Sequence, residues 1–320
     1  MDRATTLAPP ALDAGKFQNP DRTAKGEPRA AVELAGLRTL WFNTGTLCNL
    51  TCTHCYIESS PTNDRLAYLS LNDVVPYFDE IAAHGLPTTE IGFTGGEPFM
   101  NPEIVAILEA ALGRGFRALV LTNAMRPMMK LEAALLDLRA RYGAKLAIRV
   151  SIDHYTEALH ELERGRNSWR PAIEGLRWLA RAGFEPRVAG RTLWREPEDR
   201  LRAGYAQLFA EHGIGLDARD PEGLVLFPEM DERLDVPEIT TRCWGLLDVD
   251  PRTMMCATSR MVVKRKGEDR AVVMPCTLIP YDARFAMGAR LEGAIGAVKL
   301  NHPHCARFCV LGGGSCSRSG

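Results

Sequence analysis

The sequence predicts an α/β fold with a parallel sheet, followed by a smaller cysteine-rich unit. Between Leu37 and about Pro228, apolar segments of strand length alternate about six times with amphipathic segments of helix length. Alternation of this kind with short connections indicates a parallel sheet, either open or closed into a barrel. Six units are too few for a complete eight-unit barrel. After Pro228 the pattern breaks, and Cys, Gly and Arg become more frequent.

The boundaries of these elements follow from apolar periodicity and from capping residues. Ser70, with Asp73 three positions later, is typical of a helix N-terminus. The predicted strands are Leu40–Asn43, Thr89–Phe93, Ala118–Thr122, Leu146–Ile152, Pro186–Leu193 and one strand within Ile214–Phe227. The predicted helices begin at Ser70 and at Asn101, and further helices cover Met129–Tyr142, Ser168–Ala182 and Pro197–His212.

Three regions of different composition divide the chain. Residues 1–37 are rich in Ala, Pro and charged residues without sustained periodicity, so we expect a loosely ordered N-terminal arm. Residues 38–230 hold the strand–helix units. We expect residues 231–320 to form a second unit that is stabilised by metal and contains short strands such as Ala271–Met274.

The overall composition excludes several classes of function. Of the 320 residues, 46% are hydrophobic, which is enough for a substantial core. The 39 Lys and Arg residues nearly balance the 40 Asp and Glu residues, so we expect neither a nucleic acid nor a membrane as partner. The sequence has no stretch typical of a signal peptide or a membrane span, which predicts a cytoplasmic protein.

The cysteines fall into two groups. Of the nine, three lie between residues 48 and 55 and six between residues 243 and 316. A chain of this size without a secretion signal is expected to keep its thiols reduced, which favours metal binding or catalysis over disulfides.

The first group forms a CxxxCxxC loop directly after the first predicted strand. Cys48, Cys52 and Cys55 can converge on one metal centre. A four-iron cluster held by three cysteines keeps one iron without a protein ligand, and that iron can bind another molecule. The alternative is a structural zinc site, in which His54 supplies the fourth ligand.

A second motif, Gly95-Gly96-Glu97-Pro98, follows the second predicted strand. This motif resembles the GGEP motif of the radical S-adenosylmethionine (SAM) enzymes, and the CxxxCxxC loop before it resembles the cysteine signature of the same family. The resemblance covers about residues 38–230 and implies a partial (β/α)6 barrel. It also implies a [4Fe–4S] cluster whose open iron is chelated by SAM, and an external one-electron reductant of the flavodoxin or ferredoxin type. Reductive cleavage of SAM would give a 5′-deoxyadenosyl radical that abstracts hydrogen from a substrate.

The resemblance also implies roles for single residues that could bind SAM. We expect Gly95 and Gly96 to let the backbone approach the ligand closely, and Glu97 to accept a hydrogen bond from its ammonium group. The other candidates are His54 at the adenine, Ser151 and Asp153 at the ribose hydroxyls, Arg187 or Arg191 at the carboxylate, and Asn123 at a strand end. Each also has a structural interpretation, as a loop residue, a helix cap, a solvated strand end or a turn residue.

The second cysteine group is similar to the SPASM and twitch auxiliary-cluster domains, although its spacings are longer and it has six cysteines instead of seven. We expect one auxiliary [4Fe–4S] cluster. Its first-choice ligands are Cys256, Cys276, Cys305 and Cys309, with Cys316 as the next candidate and Cys243 remaining. The alternative is a structural zinc site, which these cysteines could build with His302 and His304.

The resulting hypothesis is a radical SAM oxidoreductase-type enzyme that acts on a small molecule in cofactor or natural-product biosynthesis. A maturase of a ribosomally made peptide is the main alternative. We expect the small molecule because residues 1–37 are too few for a separate leader-binding domain. An activating enzyme for a glycyl radical and a non-catalytic iron–sulfur carrier or sensor are further alternatives. The sequence identifies no hydrogen donor or general base.

Overall fold

The computed structural model describes residues 10–228 and 230–314 of the chain. Within them, an eight-stranded sheet forms the centre of the fold, with the strand order β7-β6-β5-β4-β3-β2-β8-β9. A two-stranded sheet pairs β1 with β10. The strands are β1 Ala31–Val32, β2 Thr39–Asn43, β3 Glu90–Thr94, β4 Arg117–Thr122, β5 Leu146–Ser151, β6 Arg187–Arg191, β7 Leu224–Phe227, β8 Ser259–Val263, β9 Val272–Met274 and β10 Val298–Lys299.

The helices connect successive strands of the large sheet and continue into the C-terminal part. They are α1 Leu71–Ala83, α2 Ile104–Gly113, α3 Arg126–Met129, α4 Glu132–Tyr142, α5 Glu157–Arg164, α6 Trp169–Arg181, α7 Glu198–His212 and α8 Cys243–Leu247. A π-helix covers Cys305–Leu311. In the described part of the chain, no helix is both long enough and apolar enough to cross a lipid bilayer.

Strands β2 to β7 are parallel and neighbour one another in chain order. Their apolar side chains are buried because helices pack on the sheet; all five residues of β2, for example, are buried. The predicted α/β fold with a mostly parallel sheet is therefore confirmed. Within the described residues β7 and β9 are the edge strands, so the sheet is not closed into a barrel.

Most predicted elements are found within three residues of their expected ends. The capping box of α1 is present, since Ser70 and Asp73 each bond to the other's backbone N–H group. The sequence predicts one continuous helix over Met129–Tyr142, which is wrong: α3 ends at Met129 and α4 begins at Glu132. The helix is interrupted because the backbone of Leu131 is not helical. Helix α5 was not predicted.

The C-terminal part contributes to the large sheet. Strand β8 pairs in parallel with β2, and β9 pairs with β8 in the antiparallel sense. The predicted boundary between residues 230 and 231 therefore does not separate two sheets. The division into domains stays a prediction, and strands from both sides of the predicted boundary pair within one sheet.

Residues 10–37 pack against the C-terminal part. Strand β1 pairs with β10, and buried Arg29 forms an ion pair of 2.5 Å with Glu238. Phe17 is also buried in the apolar cluster of the C-terminal part. The expectation of a loosely ordered arm is therefore wrong for residues 10–37, because it considered local periodicity and not distant partners.

Arg260 on β8 holds the C-terminal part together. Its side chain is 0% exposed, and its guanidinium donates four hydrogen bonds of 2.5–3.1 Å to backbone carbonyls. The acceptors are the carbonyls of Cys256, Ser259, Ala294 and Gly296. The segment around residue 295 is thus fixed to the start of β8.

We predict that Arg260→Met lowers the free energy of unfolding by about 3 kcal/mol, because several buried carbonyls lose their donor. Urea denaturation of the wild type and the variant measures the change. Arg252→Met is the matched control, because Arg252 is largely exposed and pairs only locally with Asp250. The control is expected to change stability by less than about 0.5 kcal/mol. Equal effects of the two substitutions would contradict the prediction.

Candidate active site

The three cysteines of the CxxxCxxC loop line one cavity at the carboxyl end of the large sheet. The cavity has a volume of about 150 Å³, and Cys48, Cys52 and Cys55 all contribute to its wall. Residues at the ends of strands β3 to β7 line the same cavity, which requires the sheet to curve around it. In parallel α/β sheets the carboxyl ends of the strands are the usual position of a ligand site.

The environment of these thiols suits a bound cation. The backbone N–H groups of Leu50 and Ser59 point at the Sγ atoms of Cys48 and Cys55, each at 3.4 Å. Burial raises the pKa of Cys48 to about 12 and that of Cys52 to about 11. These thiols therefore stay protonated at neutral pH unless a metal displaces their protons. The donor set fits an iron–sulfur cluster, whose sulfur atoms accept such N–H bonds.

Gly95 and Gly96 bring the next turn directly against the cysteine loop. A Cβ atom on Gly95 would lie 2.5 Å from the carbonyl oxygen of Gly45, and one on Gly96 would lie 2.2 Å from that of Leu47. The N–H group of Gly96 also donates to the Gly45 carbonyl at 2.8 Å. Both glycines line the cavity, yet the group that approaches them most closely is the backbone before Cys48.

Glu97 is buried and is not part of the cavity wall. Its side chain is buried, and its carboxylate accepts hydrogen bonds from the Thr122 hydroxyl and from the N–H groups of Phe99 and Asn123, at 2.8–3.1 Å. Burial raises the pKa of Glu97 to about 7. Glu97 thus links the turn after β3 to the end of β4, and neither it nor Pro98 belongs to the cavity wall. The geometry differs here from the expected contact with the ammonium group of SAM.

Five other predicted residues, His54, Asn123, Ser151, Asp153 and Arg191, do line the cavity. The Asp153 carboxylate accepts two hydrogen bonds from Arg164, at 2.7 and 3.0 Å, so this acid is already paired with a cation. Arg187, by contrast, lies at the opposite end of β6, where it pairs with Glu222 at 3.3 Å.

Glu163 is a site residue that sequence reasoning missed. Its carboxylate lies 2.7 Å from Nδ1 of the His54 ring and accepts a hydrogen bond of 2.9 Å from the backbone N–H group of His54. It also accepts a bond of 3.0 Å from Arg191, so it joins the cysteine loop to β6. Glu163 and Arg164 lie on α5. The signal for this helix was present, because Thr156 and Gly165 flank it as potential caps.

Asn123 also contacts the cysteine loop. Its Nδ2 atom donates to the side-chain oxygen of Asn49 at 2.9 Å and lies 3.9 Å from Sγ of Cys48. The sequence predicts Asn123 at a strand end, with a turn residue as its structural interpretation; in the structure its side chain also bonds to the cysteine loop.

A second cavity is lined by four cysteines of the C-terminal group, Cys256, Cys276, Cys305 and Cys309. His304 also contributes to its wall. Burial raises the pKa of Cys305 to about 12 and that of Cys256 to about 11. Leu278 lines both cavities and therefore lies between them.

Of the remaining two predicted ligands, the structure describes Cys243. Cys243 does not line the four-cysteine cavity, and its Sγ accepts the N–H bond of Thr240 at 3.3 Å at the start of α8. Cys316 lies outside the described residues.

A sequence model of the radical SAM superfamily matches residues 42–203. The chain is 34% identical over 143 residues to the antilisterial bacteriocin subtilosin biosynthesis protein AlbA of Bacillus subtilis, covering 44% of this chain and 30% of AlbA. It is 31% identical over 144 residues to the GTP 3′,8-cyclase of Streptomyces coelicolor, covering 43% of this chain and 40% of the cyclase. The matches thus span less than half the length of these relatives.

The fold is similar to that of Streptococcus suis SuiB. The structure of SuiB bound to SAM gives a TM-score of 0.58 at 12% identity, covering 80% of this chain and 64% of SuiB. The structure of SuiB bound to its precursor peptide SuiA gives 0.57 at 12% identity, covering 80% of this chain and 63% of SuiB. At this identity the likeness is one of fold.

We predict that Glu163→Gln lowers the free energy of unfolding by about 3 kcal/mol, because the buried ion pair between Glu163 and Arg191 is then lost. Denaturation by urea, followed by circular dichroism, measures the effect. Glu157→Gln on the exposed face of α5 removes the same charge and is expected to cost less than about 0.5 kcal/mol. A variant as stable as this control would show that Glu163 does not fix the loop.

Proposed function

This chain belongs to the radical SAM superfamily, and from that membership we propose that it cleaves SAM reductively and removes a hydrogen atom from a substrate. The observation that carries the proposal is the convergence of three thiols on one cavity at the carboxyl ends of the parallel strands. When bound, the cluster and SAM supply the 5′-deoxyadenosyl radical that abstracts the hydrogen. The electron comes from an external one-electron reductant of the flavodoxin or ferredoxin type.

We assign the [4Fe–4S] cluster to Cys48, Cys52 and Cys55. Three ligands keep one iron open for the amino and carboxylate groups of SAM. The N–H groups of Leu50 and Ser59 stabilise negative charge on two of the thiolates. Buried thiols with raised pKa values bind a metal ion more readily than they ionise alone, since the metal compensates the cost of burying the charge.

For SAM itself we propose the polar wall of the same cavity. Ser151 offers a hydroxyl group to the ribose, and Arg191 offers a guanidinium to the carboxylate. His54 stays a candidate for the adenine. Asp153 reaches a ligand only together with Arg164, its bidentate partner. Gly95 and Gly96 offer backbone groups to SAM, whereas Glu97 and Pro98 do not line the cavity and hold the glycine turn in place.

For the C-terminal part we propose one auxiliary [4Fe–4S] cluster on Cys256, Cys276, Cys305 and Cys309, in a unit related to the SPASM and twitch domains. Support comes from the four thiols that share a cavity wall. Arg260 adds a positive charge close to Cys256 and Cys276, and at Cys256 this charge favours the thiolate form. A zinc ion on the same cysteines is the alternative.

Replacing Cys48, Cys52 and Cys55 together by Ala is expected to abolish formation of 5′-deoxyadenosine from SAM. The measurement is anaerobic reconstitution with iron and sulfide, reduction, addition of SAM and chromatography of the products. Iron is expected to fall from about eight to about four atoms per chain, because only the auxiliary cluster remains. Unchanged iron, or 5′-deoxyadenosine at the wild-type level, would refute the assignment.

Cys256→Ala combined with Cys305→Ala is the matched control. It is expected to retain about four iron atoms and to cleave SAM still, because the first cluster is intact. If the wild type instead holds about four iron atoms, together with a zinc ion that this double variant lacks, the C-terminal cysteines bind zinc and the auxiliary-cluster proposal is wrong.

Two substrate classes differ in their support. A small molecule in cofactor or natural-product biosynthesis is supported by the likeness to GTP 3′,8-cyclase, whose name specifies a nucleotide. A ribosomally made peptide is supported by the likeness to AlbA, a bacteriocin biosynthesis protein. Both matches cover less than half of this chain. We propose the small molecule as first candidate and the peptide as second.

Deuterium transfer distinguishes the two classes. A perdeuterated extract of the native host is separated into a small-molecule fraction and a peptide fraction, and each is incubated with reduced enzyme and unlabelled SAM. We expect deuterium in 5′-deoxyadenosine with the small-molecule fraction, because the radical takes its hydrogen from the substrate. Label transfer from the peptide fraction alone would exclude the small molecule and support a peptide maturase. The triple cysteine variant provides the background.

A further inference from the structure

Three potential metal ligands converge next to the four-cysteine cavity, and the proposed function uses none of them. They are Glu232, in the segment after β7, and His302 and His304, just before the π-helix. One ligand atom from each residue lies within 4.8 Å of the other two. Met230 lines the first cavity and His304 lines the second, so these segments connect the two.

Two of the three distances between the ligand atoms are close to those around a bound transition metal, and all three lie within 4.8 Å. Oε2 of Glu232 lies 3.4 Å from Nε2 of His302 and 3.7 Å from Nε2 of His304. A zinc ion lies about 2.0–2.2 Å from nitrogen and oxygen ligands, which places tetrahedral ligand atoms about 3.3–3.6 Å from one another. Small side-chain shifts therefore bring all three atoms into coordination range.

Burial indicates that His304 needs a partner. Its side chain is 3% exposed, and within the described residues its Nδ1 atom is buried without a hydrogen-bond partner. Its Nε2 atom faces Glu232 at 3.7 Å, which is too long for a hydrogen bond. A metal ion at Nε2 would replace this long contact by direct coordination, and Nδ1 would then carry the proton of the neutral ring.

His302 is 8% exposed, and the Glu232 side chain is 59% exposed. Nδ1 of His302 accepts a hydrogen bond of 3.2 Å from the backbone N–H group of His304. An ion at Nε2 would require the ring proton on Nδ1, so this long hydrogen bond would be lost. That loss lowers the affinity without blocking Nε2. The exposed carboxylate leaves a coordination position open to solvent.

We propose that Glu232, His302 and His304 bind one divalent transition-metal ion of the Zn²⁺ type. Two imidazoles and one carboxylate are a common ligand set for zinc and for ferrous iron. The ion ties the segment after β7 to the start of the π-helix, and its open position accepts water or an anionic group. The site uses none of the cysteines, although His304 also lines the four-cysteine cavity, and the proposal does not depend on the proposed function.

The test compares zinc and iron in the same samples. The protein as isolated under anaerobic conditions is dialysed against Zn²⁺, and both metals are counted by elemental analysis. We expect one zinc ion more per chain in the wild type than in Glu232→Gln or His302→Gln, and an apparent zinc affinity at least about tenfold lower in each variant. Zinc on other cysteines, such as Cys243, is common to all samples and cancels in the difference.

Glu222→Gln and His212→Gln are the matched controls, because they remove the same groups far from the site and are expected to bind zinc as the wild type does. Iron is expected to be equal in all five proteins, which shows that the cysteine sites are intact. Equal zinc in the wild type and in Glu232→Gln and His302→Gln, or no zinc in any of them, would overturn the proposal. Zinc that is lost together with iron would assign the ion to the cysteines and would overturn it as well.

Discussion

The contact between two backbone turns determines where the three thiols lie. The turn after β3 lies so close to the chain before Cys48 that only Gly95 and Gly96 fit between them. Hydrogen bonds from the N–H groups of Gly96 and Glu97 then fix this chain segment at the end of the sheet. A side chain at either glycine would push the cysteine loop outwards. The glycines therefore position the loop first, and any approach to a ligand depends on that position.

Buried carboxylates then hold the loop from two sides. Glu97 fastens the glycine turn to the end of β4, and Glu163 fastens His54 to Arg191 on β6. Donors bond to each acid and offset part of the cost of burying its charge. Pairing of Asp153 with Arg164 balances another charge at the cavity wall. The site thus has little unpaired charge of its own, as expected for a cavity that receives a charged cofactor.

Features that depend on local sequence could be predicted, whereas those that depend on distant partners could not. The parallel strands and the cysteine loop follow from periodicity and spacing within a few residues. The attachment of β8 to β2 joins positions more than 200 residues apart, and no local pattern encodes it. The carboxylate of Glu97 bonds to Thr122 and Asn123 at the end of β4. These partners are distant in sequence, whereas the motif alone suggests a contact with a ligand. Helix α5 is not predicted because its buried residues, His160 and Glu163, are polar and its Leu162 is exposed, although its caps are visible in the sequence.

The register of β8 on β2 also bears on how the two cysteine groups can cooperate. Thr39 pairs with Ser259, so Cys256 lies before β8 at the end of the sheet where β2 begins, whereas Cys48 follows the other end of β2. A five-residue strand spans about 17 Å. The two proposed metal centres would therefore lie toward opposite ends of this strand, while Leu278 lines both cavities. They would share no ligand, because the cysteines of the two groups line different cavities, and a functional link between them would have to cross the layer that contains Leu278.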